Sequence, residues 1–182
     1  NENKYKIVDI TTDDKVPYAI TRFSCNDYKL VFNSDMVQYD IGLFIDIYPL
    51  DYIGNTLDEC NKNLHKFKLC NVLLSYSRMN NVPKDSNFFK QVAINIIFKL
   101  SKIIGTKRII KKIRKKSIHL NNTAGKRYIG CPVSSPEELH EIYSFADFNQ
   151  YTRVQFEQSE FMITKDYEKI LKNCYNDYMK LP

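Results

Sequence analysis

The run "DIGLFIDIYPLD", residues 40–51, places three aspartates, Asp40, Asp46 and Asp51, in one of the most apolar segments of the chain. It is the strongest strand candidate, because β-branched and aromatic residues fill it. Pro49 ends it, since proline cannot donate to a sheet ladder. In a strand, Phe44, Asp46 and Tyr48 share one face, and Leu43, Ile45 and Ile47 share the other. An ionised Asp46 in a strand covered on both sides is costly unless it is paired or binds a metal. Apolar–Asp–apolar at a strand end is how metal-dependent phosphoryl and nucleotidyl transferases present a carboxylate to a divalent ion. An edge strand with Asp46 in solvent, and a structural ion pair, are the other two readings. Asp51, where the chain leaves the strand, begins a turn or faces a bound donor; Asp40 reads as loop.

Upstream, "YKIVDIT", "YAITRFS" and "YKLVFN" read as short strands. Downstream, Asn55-Thr56 offers a helix N-cap, and a helix is expected over about 57–79. Asp85 or Ser86 can cap a second helix. Its apolar face comprises Phe88, Phe89, Val92, Ala93, Ile96, Ile97, Leu100, Ile103 and Ile104, at a 3.6-residue period. After Gly105 and Thr106, "KRIIKKIRKKSIHL" puts Ile109, Ile110 and Ile113 on one face among Lys and Arg. "RYIGCPV" reads as turn or strand. "SSPEELHEIYSF" reads as a short helix capped by Ser134 or Ser135, with Pro136 at its first position. "YTRVQFEQSEFMI" reads as a strand pair. The last helix is expected to be capped by Thr164, with Tyr167, Ile170, Leu171 and Cys174 inward.

The 182 residues suit one compact domain. Charge is segregated along the chain. Residues 1–60 hold 11 acidic and 5 basic side chains, residues 61–130 hold 1 and 17, and residues 131–182 hold 9 and 5. The middle block is the anomaly hidden inside a net charge of +6. Five glycines and no GxGxxG or GxxxxGK[ST] argue against a glycine-rich phosphate loop. The five scattered cysteines read as reduced thiols. Cys60, His65 and Cys70 do not form a metal set, because five-residue steps rotate about 140° each on a helix. No apolar stretch approaches the roughly 20 residues of a membrane span.

"IGLFIDIYPLD" resembles the signature of the LicD family, the lipopolysaccharide cholinephosphotransferase-like proteins. "VQFEQSEFMITKDYEKILKNCYNDYMKLP" resembles that family's ending, and "PYAITRF" its short strand with a basic residue. Gln158, Thr164 and Asn176 stand where the family has Gly, Pro and Gly. The resemblance spans about residues 15–182, with a variable helical middle.

The resemblance implies an α+β fold: a partial nucleotidyltransferase-like domain with a small mixed sheet, a helical middle and a C-terminal helix. Residues 1–182 would form this single domain, with a helical insertion over 57–120 and a basic segment at 107–127. It implies transfer of phosphocholine, or a related phospho-alcohol, from CDP-choline or another CDP-alcohol to a cell-surface glycan, with Mg²⁺ or Mn²⁺. Asp46 matches the third metal carboxylate and is the catalytic candidate. The other two belong to an Asp-rich motif absent from these residues, so the chain is expected to lack the family's first part and to be inactive alone. "TDDK" at 12–15 does not replace that motif. Arg22 and Asp51 are assigned to the donor side and Glu157 to the acceptor or choline side; a surface strand residue, a turn and a solvated hairpin charge are the plainer readings. Asp177 and Tyr178 match the family's ending or simply finish the last helix. The basic segment reads as a solvated helix face or as a peripheral contact with anionic membrane, which would suit a lipid-linked acceptor at the cytoplasmic side of the plasma membrane. No nucleic-acid partner is expected, because no recognition helix or zinc finger accompanies the charge. The rival class is a non-catalytic module that binds anionic membrane or glycan.

Overall fold

The computed structural model describes residues 4–31, 35–133 and 141–180. Among the described residues the architecture is α+β: four helices and small antiparallel sheets. The expected mixed sheet is not what forms. All named strand pairs are antiparallel, and among the described residues the parallel pairing is a single isolated bridge, Gly54 with Lys126. The chain divides into two compact units, Asn1–Pro49 with Lys66–Ile118, and Leu50–His65 with His119–Pro182.

The first unit holds a three-stranded sheet of β1 (Tyr5–Val8), β2 (Thr21–Cys25) and β3 (Leu43–Ile47), in the order β1-β2-β3. "YKLVFN" does not add a fourth strand in its described part: Tyr28–Val31 is irregular, with the Leu30 amide donating to the Ile41 carbonyl at 3.0 Å. Val8, Val16 and Ile41 form a core against which Tyr18, Tyr39 and Phe44 pack. Gly42 sets the entry to β3. A Cβ there would lie 1.7 Å from the Cys25 carbonyl oxygen, and its own amide donates to Ser24 Oγ at 3.0 Å.

The helices follow the expected boundaries closely. α1 spans Leu57–Arg78, α2 spans Phe88–Ile104 and α3 spans Thr106–Thr123. Thr56 Oγ1 accepts from the Glu59 amide while Glu59 reaches back to the Asn55 amide, a capping-box arrangement. The cap of α2 is Asn87, one residue past the expected pair; Asp85 instead accepts from the Asn87 amide. Ile109, Ile110 and Ile113 of α3 are buried as their spacing implies. The apolar stripe of α2 is not: Phe88, Phe89, Val92, Ile96, Leu100 and Ile103 are all exposed, while Ser101 is the buried residue of that helix.

The second unit contains β4 (Asp51–Gly54), β5 (Tyr128–Gly130) and β6 (Tyr143–Ser144), followed by a 3-10 turn at Phe145–Phe148. The hairpin β7 (Tyr151–Phe156) and β8 (Ser159–Thr164) follows, and α4 (Tyr167–Tyr175) comes last. The expected cap Thr164 ends β8 and donates its hydroxyl to the Asp147 carbonyl, so Asp166 stands at the start of α4. The inward face of α4 is half-buried, and Tyr143 Oη lies 3.2 Å from Cys174 Sγ. Asp177 and Tyr178 lie beyond the helix end. The expected cap at Ser134 or Ser135 and most of its helix fall outside the described residues.

Candidate functional site

Strand register carries the site. β2 and β3 pair antiparallel with Arg22 directly opposite Asp46, and Arg22 Nε donates to Asp46 Oδ1 at 2.7 Å. The cation that Asp46 calls for is therefore a side chain of this chain, and the ion-pair reading describes the contact. The expectation that both faces of β3 are covered is corrected. Leu43, Ile45 and Ile47 point outward, Ile45 being 69% exposed, whereas Phe44 and Asp46 face inward and are half-buried. Phe23 of the central strand is exposed on the same face, so the open face belongs to the whole sheet and not to β3 alone; among the described residues β3 is also an edge strand.

Two rings hold the guanidinium of Arg22. Its central carbon lies 3.6 Å from the Tyr18 ring centroid and 3.9 Å from that of Phe44. Tyr48 reaches Asp46 Oδ2 only weakly, at 3.4 Å. With Nε committed to Asp46, the Nη groups of Arg22 remain for other acceptors.

Beside this pair is a cavity of about 170 Å³ lined by Pro17, Tyr18, Arg22, Met36, Val37, Gln38 and Arg78. Its far wall is built by tying the segment 35–38 to the end of α1. The Val37 amide donates to the Arg78 carbonyl at 2.6 Å, the Asn80 amide to the Asp35 carbonyl at 2.7 Å, and Met36 bridges Met79. Lys102 closes the same helix end by donating to the Ser77 and Met79 carbonyls.

Arg78 is the residue that sequence reasoning missed. Its Nε is buried and donates to no partner. Burial, and in addition the charge on Arg22, push its pKa below the ordinary arginine value. An arginine stays charged in this setting, so the pocket contains two cations and one unanswered buried donor. Arg22 already has its counterion in Asp46, which leaves the Nε of Arg78 as the unanswered donor of the pocket.

The remaining candidates lie elsewhere. Asp51 opens β4, opposite Gly130, in the second unit. Glu157 sits in the two-residue turn between β7 and β8, exposed, with a positive φ of 52°; it also belongs to the second unit. Neither shares a unit with Arg22 and Asp46. Asp13 and Asp14 of "TDDK" are engaged by Tyr39 and Lys107. His65 is exposed while Cys60 and Cys70 are buried.

Several cations of the basic segment are used internally. Arg114 makes a two-pronged contact with the buried Asp9, Nη1–Oδ1 at 3.0 Å and Nη2–Oδ2 at 2.7 Å, and Thr11 and Thr21 also donate to that carboxylate. Burial alone would raise the Asp9 pKa; the donors outweigh it and hold it at about 2.

For a divalent ion, the residues present supply Asp46 alone, already neutralised by Arg22. Among the described residues no group of three or more His, Cys, Asp or Glu could hold a metal. These residues do not by themselves fit Mg²⁺ or Mn²⁺. Among the described residues no helix is long and apolar enough to cross a membrane. Comparison with family models, with curated proteins and with solved structures gives no match.

Proposed function

We propose that the first unit binds the phosphate of a CDP-linked alcohol such as CDP-choline, as part of a LicD-type phosphotransferase that modifies a cell-surface glycan. The observation that carries this reading is the pairing of Arg22 and Arg78 in one pocket, with the Nε of Arg78 buried and unanswered. The cavity, about 170 Å³, is below the ~300–1,000 Å³ of sites that enclose a drug-sized ligand. It suits a phosphoryl group with a small alcohol, with the nucleoside outside. In this reading Arg22 offers its free Nη groups and Arg78 its Nε, and Tyr18 and Phe44 fix the plane of the Arg22 guanidinium. Two arginines on the phosphate favour the charge that develops there when a glycan hydroxyl attacks phosphorus and CMP leaves.

Asp46 is one of three carboxylates that the reaction requires for its ion, and two more have to come from outside these residues. The open edge of β3 offers a place for a strand that carries them, next to Asp46. The uncovered apolar face of Tyr5, Ile7, Phe23, Leu43, Ile45 and Ile47 offers a place for a further layer. Asp51 and Glu157 keep their donor-side and acceptor-side assignments only as consequences of the resemblance. The rival, a non-catalytic module, is favoured by one observation: Asp46 is already paired with Arg22.

The experiment is transfer from CDP-choline by the protein together with the coding sequence upstream of Asn1. Asp46→Asn should abolish transfer and leave the far-UV circular dichroism unchanged. Transfer that survives this change, or an upstream sequence with no Asp-rich strand, removes the enzymatic reading.

A further inference from the structure

Helix α2 leaves a broad apolar stripe exposed. At 100° per residue, Phe88, Phe89, Val92, Ile96, Leu100 and Ile103 fall within an arc of about 120°. All six are exposed, Phe88 at 74%, Phe89 at 81% and Ile103 at 74%. The side turned to the protein carries the buried Ser101 with Ile94, Ile97 and Phe98 half-buried, and Gln91 and Asn95 lie half-buried at its edge. Gln91 donates to the Pro83 carbonyl, and Ser101 to that of Phe98. A surface helix ordinarily turns a polar face outward, and a contiguous exposed apolar face of this kind marks a binding surface.

Charge identifies the occupant. No Asp or Glu occurs between Ser86 and Val133, and Lys or Arg occurs twelve times. Lys99 lies inside the apolar arc itself. Lysine is depleted from protein–protein interfaces, whereas a lysine within an apolar face suits a lipid headgroup region, where its stem lies along the acyl boundary and its ammonium reaches the phosphates. On α3, which follows in the same unit after Gly105, Arg108, Lys111, Lys112 and Lys115 are exposed and make no ion pair among the described residues. The isoleucines of α3 are committed to the core, so α3 offers charge and α2 offers the apolar face.

We propose that α2 is an in-plane anchor for an anionic lipid bilayer, with Phe88, Phe89, Val92, Ile96 and Ile103 inserted at the acyl boundary and the α3 cations on the headgroups. The basic segment is then the electrostatic half of a two-part contact rather than the whole of it. The surface is independent of the phosphate pocket, and its test uses no nucleotide.

Flotation of the 182-residue chain with phosphatidylcholine vesicles, with and without phosphatidylserine, measures it. The chain should float only with the anionic vesicles. Phe88→Ser with Phe89→Ser should weaken that binding by about tenfold or more. Both side chains are exposed, so circular dichroism should be unchanged. Lys111→Gln, Lys112→Gln and Lys115→Gln together should also weaken it. Three results overturn the proposal: no flotation with anionic vesicles, unchanged flotation of the phenylalanine variant, or a dimer in light scattering that this variant converts to monomer. The last would assign the face to a second copy of the chain.

Discussion

Replacing Asp9 by Asn tests the electrostatic clamp that fixes β1 to α3 in the first unit. The Asp9 side chain is 6% exposed and accepts from Thr11, Thr21 and both terminal nitrogens of Arg114, which is itself 32% exposed. Its pKa falls from 3.8 to about 2 on folding. At about 1.4 kcal/mol per pH unit, that drop corresponds to about 2.5 kcal/mol of stability. Because the folded value lies below the unfolded one, the contribution is fully present above about pH 4. It is lost as the pH falls toward 2, when the folded protein must also take up the proton. Asn removes the charge and leaves Arg114 facing an amide, so the loss at neutral pH should be about 2–4 kcal/mol. Urea unfolding followed by circular dichroism at pH 7, 5 and 3 measures it. The wild-type chain should lose stability between pH 5 and 3 more steeply than the variant, and the two curves should converge at acid pH. Variant stability within about 0.5 kcal/mol of wild type at pH 7, or parallel pH profiles, would refute the clamp.

Gly42→Ala should destabilise by about 3 kcal/mol or more, or prevent folding, since the new Cβ meets backbone oxygens of Cys25 and Tyr28 that cannot move aside; urea midpoints check this. Thiol labelling of the native chain at pH 8 should be confined to Cys25 and Cys174, which are half-buried. Cys60, Cys70 and Cys131 are buried, and burial with the nearby Glu59 pushes the Cys60 thiol up to about 11, so these three should label only after unfolding. Fast native labelling of Cys60, read by mass spectrometry of its peptide, would contradict that packing.

The local grammar of the chain was legible; the long-range partners were not. Alternation in "LFIDI" correctly set Asp46 on the face of Phe44 and opposite that of Ile45, because the strand period is a backbone property. Which face the protein covers depends on what packs there, and here the apolar face of the whole three-stranded sheet is exposed. The same holds for α2: periodicity located its stripe and its ends to within a residue, yet gave no direction for the stripe to point. Arg22 was identifiable as a basic residue in an apolar strand. Its partner 24 residues away depended on sheet register. Arg78 carried no signal. It is the last residue of a long helix, and only the tie between that helix end and the segment 35–38 makes it a pocket wall. A signal was available for the Asp9–Arg114 clamp in the Asp-x-Thr-Thr run after β1, where the amide and hydroxyl of Thr11 donate to the carboxylate.

The central claim, that Arg22 and Arg78 form a phosphate pocket, is tested most directly by thermal unfolding of the wild-type chain and of Arg78→Met, each with and without CDP-choline. A buried, unanswered donor is a stability cost, so Arg78→Met should unfold at a higher temperature without ligand, by about 1 kcal/mol of added stability. CDP-choline should raise the midpoint of the wild-type chain and leave that of the variant unmoved. An equal ligand shift in both proteins, or a variant that is less stable and a wild type that CDP-choline does not affect, would contradict the account.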